Sequence, residues 1–288
     1  METTELLKKV RKIEIKSRGL SRQIFAGQYH SAFKGRGVAF SEVREYQYGD
    51  DIRNIDWNVT ARFNHPFVKV FEEERELTVI LLIDVSGSGI FGSNTQLKRE
   101  LITEVAAVLT FSAIQNNDKI GVIFFSDHVE KYIPPKKGRS HILHIIRELI
   151  NYVPVSKLTG LTEPIKFLTN VIKKRATAFI ISDFLCDDFE DALKIAARKH
   201  DLAGLHIFDP RDYEIPDIGL ARFSDPETGE LRWVDTSLSS VRENYKKFRQ
   251  KRLAEIKKSL SKCGVDYASM ITGKDYVKPL LGLFKARA

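Results

Sequence analysis

Short apolar runs that favour β-structure recur along the chain from residue 77 onward. Most are nearly continuous, as expected of strands that are buried on both faces of a parallel sheet. These predicted strands are LTVILLIDV (77–85), KIGVIFFS (119–126), ATAFIISDF (176–184), AGLHIFDP (203–210) and VDYASMIT (265–272). Two further segments, HVEKYIPP (128–135) and LRWVDT (231–236), have the pattern of edge strands.

Amphipathic segments separate these strands. Apolar residues at helical spacing predict helices over HILHIIRELINYV (141–153), EPIKFLTNVIKK (163–174) and FEDALKIAARKH (189–200). Two more helices are predicted from longer stripes, one with Leu97, Leu101, Val105, Val108 and Ser112, the other with Val241, Tyr245, Phe248, Ile256 and Leu260. This alternation predicts a doubly wound, mostly parallel α/β sheet with helices on both faces.

Residues 1–76 follow a different pattern. An amphipathic helix is predicted near the start, with Leu6, Leu7, Val10 and Ile13 on one face. A glycine-rich polar stretch with short strand-like pieces, FKGRGVAFSEVREYQYGDD (33–51), comes next. We therefore expect an N-terminal helix and a small β-rich subdomain over residues 1–76, and the α/β domain over residues 77–288.

Composition favours a globular protein of the reducing cytoplasm. Hydrophobic residues make up 43% of the 288 residues and charged residues 29%, which suits a chain that buries a core. The longest apolar run, at 79–83, is far shorter than the roughly 20 residues of a membrane-spanning helix. No signal-peptide pattern is visible at the N-terminus. Cys186 and Cys263 are too few and too far apart for a disulfide framework.

The net charge of +8 is unevenly distributed. Residues 1–36 carry a net charge of +6 and residues 240–288 carry a net charge of +9. The residues between them therefore carry a net charge of −7. The basic ends therefore either pair with the acidic centre, including FEEERE (71–76), or face an anionic partner such as a membrane surface. Aromatic residues are not interleaved with the basic runs, which argues against nucleic acid.

The loop after the first predicted strand of the α/β domain, in LLIDVSGSGIFGS (81–93), has two interpretations. Gly87, Gly89 and Gly92 spell the G-x-G-x-x-G of dinucleotide sites. Asp84, Ser86 and Ser88 spell D-x-S-x-S. The dinucleotide interpretation requires an acidic residue about 20 positions further on, at the end of the second strand. That strand ends much later, so the serine and aspartate pattern is the better interpretation.

The D-x-S-x-S loop predicts a site for a hard divalent cation, Mg²⁺ or Mn²⁺. Asp84 and Asp183 both lie at predicted carboxyl ends of strands, where open parallel sheets bind ligands. Mg²⁺ prefers oxygen ligands in octahedral geometry. Thr162, in LTGLTEP (158–164), is the candidate for one further oxygen, although it also suits a helix cap.

These residues resemble a known site. DVSGS (84–88) resembles the metal-ion-dependent adhesion site of von Willebrand factor type A domains, and Thr162 and Asp183 match the later residues of that site in order. The segment FSEVREYQYGDDIRNIDWNVTARFNHPFVKVFEEERELTV (40–79) resembles the bacterial "domain of unknown function fifty-eight" family, whose fold is von Willebrand factor A-like. The threonine loop reads TGLTEP (159–164) and departs from the usual Gly-Gly-Thr type of these sites, which makes Thr159 a rival of Thr162 as the ligand.

The resemblance implies a non-enzymatic, cytoplasmic interaction module. In such sites hydroxyls bind the metal directly, carboxylates often act through water, and an open position receives an acidic side chain of a partner protein. The partner implied by the family is a MoxR-type AAA ATPase. The alternative is a metal-dependent phosphoester hydrolase with Asp84 as nucleophile, but such enzymes normally carry a second aspartate where this chain has Ser86.

YGDDIRNIDWN (48–58) is a second candidate for function. One expectation is a surface that docks a partner protein through Asp51, Arg53, Asp56 and Trp57. The alternative is a turn held by carboxylate–guanidinium pairs, with Trp57 in the subdomain core.

Overall fold

The computed structural model describes residues 39–72, 77–92, 96–186, 189–225 and 228–287. The helix predicted near the N-terminus lies outside these residues. The described chain falls into two compact units, one within residues 34–77 and one that runs from Thr78 onward.

The smaller unit is built on an antiparallel pair of strands, β1 (Ala39–Glu45) and β2 (Phe67–Glu72). A 3₁₀ turn (Ile52–Asn54) and the short helix α1 (Trp57–Phe63) lie between them in the chain. Helix α1 ends where Asn64 adopts the left-handed conformation, with φ at 54°, as is common one residue past a helix.

The larger unit contains the strands β3 (Thr78–Asp84), β4 (Lys119–Phe125), β5 (Val129–Lys136), β6 (Thr177–Ser182), β7 (Asp201–Phe208), β8 (Leu220–Ser224), β9 (Leu231–Asp235) and β10 (Asp266–Ile271). Six of them form one sheet in the order β10-β7-β6-β3-β4-β5. All neighbours in this sheet are parallel except β4 and β5. The prediction of a mostly parallel sheet is therefore confirmed.

The helices of the larger unit are α2 (Lys98–Gln115), α3 (Arg139–Asn151), α4 (Thr162–Val171), α5 (Glu190–Lys199), α6 (Ser239–Lys262) and α7 (Val277–Arg287). On one face of the sheet, Leu82 and Ile180 share a buried core with apolar residues of α4, α5 and α6. On the other face, α2 contacts the central strands and Phe284 of α7 meets Phe179 of β6 edge to face. The helices therefore cover both faces, as predicted.

The structure departs from the sequence-based picture at three places. LRWVDT forms β9, which pairs with β8 in a separate hairpin instead of joining the edge of the main sheet. Helix α7 was not predicted. Phe248, expected on the apolar stripe of α6, is exposed, and the buried apolar residues of that helix are Ile256 and Leu260.

Among the described residues, no helix combines the length and the apolarity that a bilayer crossing requires.

Candidate functional site

The candidate site lies in the larger unit, at the carboxyl edge of its central strands. Strand β3 lies between β4 and β6, and the residues from Val79 to Asp84 are buried because helices cover both faces. The chain leaves β3 with a backbone hydrogen bond from Val85 N–H to the Phe125 carbonyl (2.8 Å) and then forms a 3₁₀ turn over Gly87–Ile90. The D-x-S-x-S residues are therefore held in a short, ordered loop.

Three hydroxyl groups meet at this loop, and we call Ser86, Ser88 and Thr159 the hydroxyl cluster. Ser86 Oγ lies 3.1 Å from Ser88 Oγ, and the Thr159 hydroxyl donates to Ser86 Oγ at 2.8 Å. The threonine segment is tied to the loop by Gly87 N–H, which donates to the Lys157 carbonyl at 3.0 Å. Thr162, the threonine predicted for the site, is the first residue of α4, and the hydroxyl that reaches Ser86 belongs to its rival Thr159.

Asp84 is buried behind the hydroxyl cluster, with 5% of its surface exposed. Its Oδ1 accepts from Ser86 N–H (2.9 Å), and its Oδ2 accepts from the Ser182 hydroxyl (2.6 Å). Burial and the nearby charge of Asp183 nevertheless raise the pKa of Asp84 to about 7, because both disfavour the ionised carboxylate. Ionised Asp84 would therefore be stabilised by a cation beside it.

Asp183 follows the end of β6 and faces a different environment. Burial opposes its ionisation, but the ammonium of Lys98 and hydrogen bonds from Ser88 and from Leu185 N–H outweigh burial and lower the pKa of Asp183. The turn that aims this side chain includes Phe184, a fully buried residue with φ at 55°. Left-handed backbone costs a bulky residue roughly 1–2 kcal/mol, so the surrounding packing must hold this turn in place.

The structure contains charged partners of the site that the sequence did not indicate. Lys98, the first residue of α2, donates from Nζ to Asp183 Oδ2 (3.0 Å) and to Asp212 Oδ2 (3.2 Å). Asp212 lies in a 3₁₀ turn just after β7. Asp212 is distant from the D-x-S-x-S loop in sequence. Lys98 follows the loop by ten residues, but a lysine at the start of an amphipathic helix gives no signal that it is buried.

The donor set fits a hard divalent cation at the hydroxyl cluster. Three hydroxyl oxygens and two carboxylates converge from three segments of the chain, and Mg²⁺ and Mn²⁺ prefer oxygen ligands. The fit depends on the hydroxyls, because no group of three or more His, Cys, Asp or Glu side chains suited to a metal occurs within the described residues.

The four docking residues predicted at 48–58 lie in the smaller unit. The Asp51 carboxylate accepts from Arg53 N–H, and the Asp56 carboxylate caps α1 by accepting from the N–H groups of Asn58 and Val59. Carboxylate–guanidinium pairs of this region join Asp50 to Arg44, at 2.7 and 2.8 Å, and Asp51 to Arg53, at 4.0 Å. Trp57 is 68% exposed, so the expectation that it fills the subdomain core was wrong.

The fold and the loop define an open α/β-sheet protein with a candidate site of serines and aspartates at the carboxyl edge of the sheet. The chain belongs to the family described as "Protein of unknown function DUF58", which matches residues 42–255. The resemblance of residues 40–79 to the "domain of unknown function fifty-eight" family is thus confirmed.

Similar proteins are found in bacteria. The uncharacterized protein Rv1480 of Mycobacterium tuberculosis is 29% identical over 267 residues, which cover 92% of this chain and 84% of that protein. The uncharacterized protein YeaD of Bacillus subtilis is 30% identical over 122 residues, which cover 42% of this chain and 27% of that protein.

Among solved structures, an aerotolerance-related membrane protein from Bacteroides fragilis matches 73% of this chain and 98% of that chain. The TM-score is 0.50 at 15% sequence identity. At this identity the likeness concerns the fold alone.

Proposed function

We propose that this chain is a non-enzymatic interaction module that binds a carboxylate of a partner protein through Mg²⁺ or Mn²⁺. The observation that carries the proposal is the convergence of the hydroxyl cluster beside Asp84 and Asp183. Ser86, Ser88 and Thr159 would hold the cation, with the two carboxylates behind them, in the manner of a metal-ion-dependent adhesion site. A bound cation would supply positive charge and a coordination position for the partner's acidic side chain.

The surface beside the hydroxyl cluster supports a role in protein binding. Val153, Val155 and Leu158 are exposed in the segment that leads to Thr159. This segment is held in place because the Glu130 carboxylate accepts from the N–H groups of Val155 (3.0 Å) and Ser156 (3.1 Å). An exposed apolar surface that is fixed beside a charged centre suits a partner that presents an acidic side chain among apolar ones.

The proposed partner is a MoxR-type AAA ATPase, and the proposed location is the cytoplasm. The partner follows from the family resemblance and is an argument by analogy. Cys186 and Cys263 are free thiols, which is compatible with a reducing compartment.

The environment of Asp84 favours binding over hydrolysis. A nucleophilic carboxylate must reach its substrate, whereas Asp84 is buried and both of its oxygens accept hydrogen bonds. The position two residues later, where a hydrolase of this type places an acid–base aspartate, is Ser86.

The first test measures metal-dependent stability. At a Mg²⁺ or Mn²⁺ concentration of about 100 times Kd, the native state should gain about 2.7 kcal/mol, or on the order of 5–10 °C in Tm. The double variant Ser86→Ala/Ser88→Ala should lose this gain, whereas Ser239→Ala/Ser240→Ala, a pair of exposed serines at the start of α6, should keep it. An equal gain in the Ser86/Ser88 variant would exclude the hydroxyl cluster as the metal site.

The second test measures partner binding. The MoxR-type ATPase of the same organism should be retained on the immobilised full chain with Mg²⁺ and released by chelator, and Asp84→Asn should weaken the chelator-sensitive part. If neither chelator nor Asp84→Asn reduces the amount of ATPase retained, the proposal is overturned. Turnover of a phosphoester that Asp84→Asn abolishes would instead support the hydrolase.

A further inference from the structure

Lys98 is a buried lysine at the edge of the candidate site. Only 3% of its side chain is exposed, and its Nζ also lies 5.7 Å from the centre of the Phe91 ring. Lysine is almost never fully buried unless its charge is paired, because removing an ammonium group from water costs several kcal/mol. Here two carboxylates, Asp183 and Asp212, provide that pairing.

The two carboxylates are themselves fixed. Asp212 Oδ2 accepts from Asp209 N–H at 2.9 Å, and the Asp212 carbonyl accepts from the Tyr245 hydroxyl (3.1 Å) and from Arg249 Nε (2.5 Å) of α6. Asp183 Oδ1 accepts from Leu185 N–H at 3.3 Å. The ammonium group of Lys98 is therefore held between rigid partners and has little freedom to move away.

Asp183 is also one of the two carboxylates behind the hydroxyl cluster, and it takes part in a hydrogen bond with Ser88. The same carboxylate thus faces the hydroxyls on one side and the Lys98 ammonium on the other. Two consequences follow from Coulomb's law: the ammonium neutralises Asp183 when no metal is bound, and it repels a divalent cation that binds nearby.

We propose that Lys98 is a tethered counter-cation of the candidate site, which competes with the divalent metal for Asp183 and keeps metal affinity low. The inference rests on the proposed function and adds a specific regulator to it. With Lys98 in place, the loop keeps its structure without metal, and the hydroxyl cluster, more than Asp183, carries the metal contacts. Metal then binds weakly enough for a partner's carboxylate to contribute to its retention.

The test is a titration of the full chain with Mn²⁺. The electron paramagnetic resonance signal of free Mn²⁺ measures how much of the metal is bound. Lys98→Gln removes the charge and keeps a hydrogen-bond donor for the two carboxylates. Lys98→Arg keeps the charge. Lys194→Gln changes an exposed lysine of α5 that pairs with Asp191. We expect Lys98→Gln to bind Mn²⁺ at least about tenfold more tightly than the wild type, and the other two variants to stay close to the wild type.

The outcomes separate this inference from the proposed function. Unchanged Mn²⁺ affinity in Lys98→Gln, with the wild type binding Mn²⁺, overturns the role of Lys98 alone. Binding by Lys98→Gln and none by the wild type supports the role of Lys98 and overturns the metal-dependent function. No binding by either overturns both.

If Lys98→Gln does not fold in the presence of chelator, circular dichroism with and without Mn²⁺ tests whether the metal can replace the missing charge. A metal that replaces the missing ammonium should restore the folded signal, and failure to do so overturns the role of Lys98.

Discussion

At the scale of single residues, two buried histidines make stability depend on pH. Burial is the main cause that lowers the pKa of His200 and of His206 to about 4. His200 Nδ1 accepts a hydrogen bond from Ala176 N–H at 3.3 Å, which requires an unprotonated Nδ1. Because an unfolded histidine has a pKa near 6.5, each neutral histidine contributes stability above pH 6.5, and that contribution is lost as the pH falls towards 4.

We predict that acidification from pH 6.5 to 4 lowers the free energy of unfolding by up to about 3 kcal/mol for each histidine. His200→Asn keeps an acceptor for the Ala176 N–H and removes the titrating group, so its stability should fall less steeply over this range. Urea unfolding at a series of pH values measures the slope. The control is His144→Asn, an exposed residue of α3, and a slope in His200→Asn equal to that of the control would contradict the prediction.

The residues of the site that could be predicted lie at or just after the ends of buried strands, Asp183 after β6 and three others at or after the end of β3. Asp84, Ser86 and Ser88 are recognisable because a buried strand ends at Asp84 and oxygen side chains alternate after it. Thr159 could not be separated from Thr162, because the choice depends on where the loop crosses the sheet edge. Lys98 and Asp212 gave no signal, because a buried ion pair between distant segments is a product of tertiary packing.

At the scale of secondary structure, two glycines differ in how well their surroundings can accept an added side chain. Gly121 lies in β4 where the register to β5 shifts, and an added Cβ would lie 2.9 Å from the Ile133 carbonyl oxygen and 2.9 Å from Pro135 N. Gly282 lies inside α7, and a Cβ there would meet nothing within 4 Å. The same substitution should therefore have opposite effects.

We predict that Gly121→Ala lowers the free energy of unfolding by about 1–3 kcal/mol, because backbone atoms of β5 must move. Gly282→Ala should raise it by about 0.5–1 kcal/mol, because alanine favours the helix and restricts the unfolded chain. Chemical denaturation of the two variants and of the wild type measures whether each substitution raises or lowers the free energy of unfolding. A stabilising Gly121→Ala would show that the bulge between β4 and β5 is looser than its contacts imply.

The strands of the main sheet could be predicted, and two other elements could not. Continuous apolar runs such as that of β3 arise only where both faces of a strand are covered. The alternating pattern of LRWVDT suits an edge strand and a separate hairpin equally, so its pairing with β8 was not predictable. Helix α7 contains Gly282 and has Pro279 in its first turn, where proline is tolerated, but both residues weaken the sequence signal for a helix.

At the scale of the whole molecule, ion pairs neutralise part of the basic C-terminal region. Salt bridges join Arg242 to Asp217 (3.0 Å), Lys246 to Glu214 (2.5 Å) and Lys262 to Glu190 (3.2 Å). Arg287, mostly buried, pairs with Asp201 and with Asp266. Seven exposed lysines of this region have no ion pair with another described residue, at positions 247, 251, 257, 258, 274, 278 and 285. The surface charge that is free to attract an anionic membrane is thus smaller than the sequence suggests.

We therefore predict weak binding of the full chain to phosphatidylserine vesicles at physiological salt. Each free lysine near an anionic surface contributes about 1 kcal/mol. By helical spacing, positions 247, 251 and 258 share one stripe of α6 and can approach a flat surface together, so they supply roughly 3 kcal/mol, less than the 4.1 kcal/mol of a millimolar complex. Replacing the acidic partners, in Glu214→Gln/Asp217→Asn/Glu190→Gln, frees three more cations and should raise retention in a co-sedimentation assay. That added retention should vanish at high salt, where exposed charges are screened.

Glu163→Gln, which frees Lys166 of α4, serves as the control for a single exposed pair. Firm, salt-sensitive retention of the wild type on these vesicles, and none on neutral ones, would show that a membrane surface is a partner of this protein.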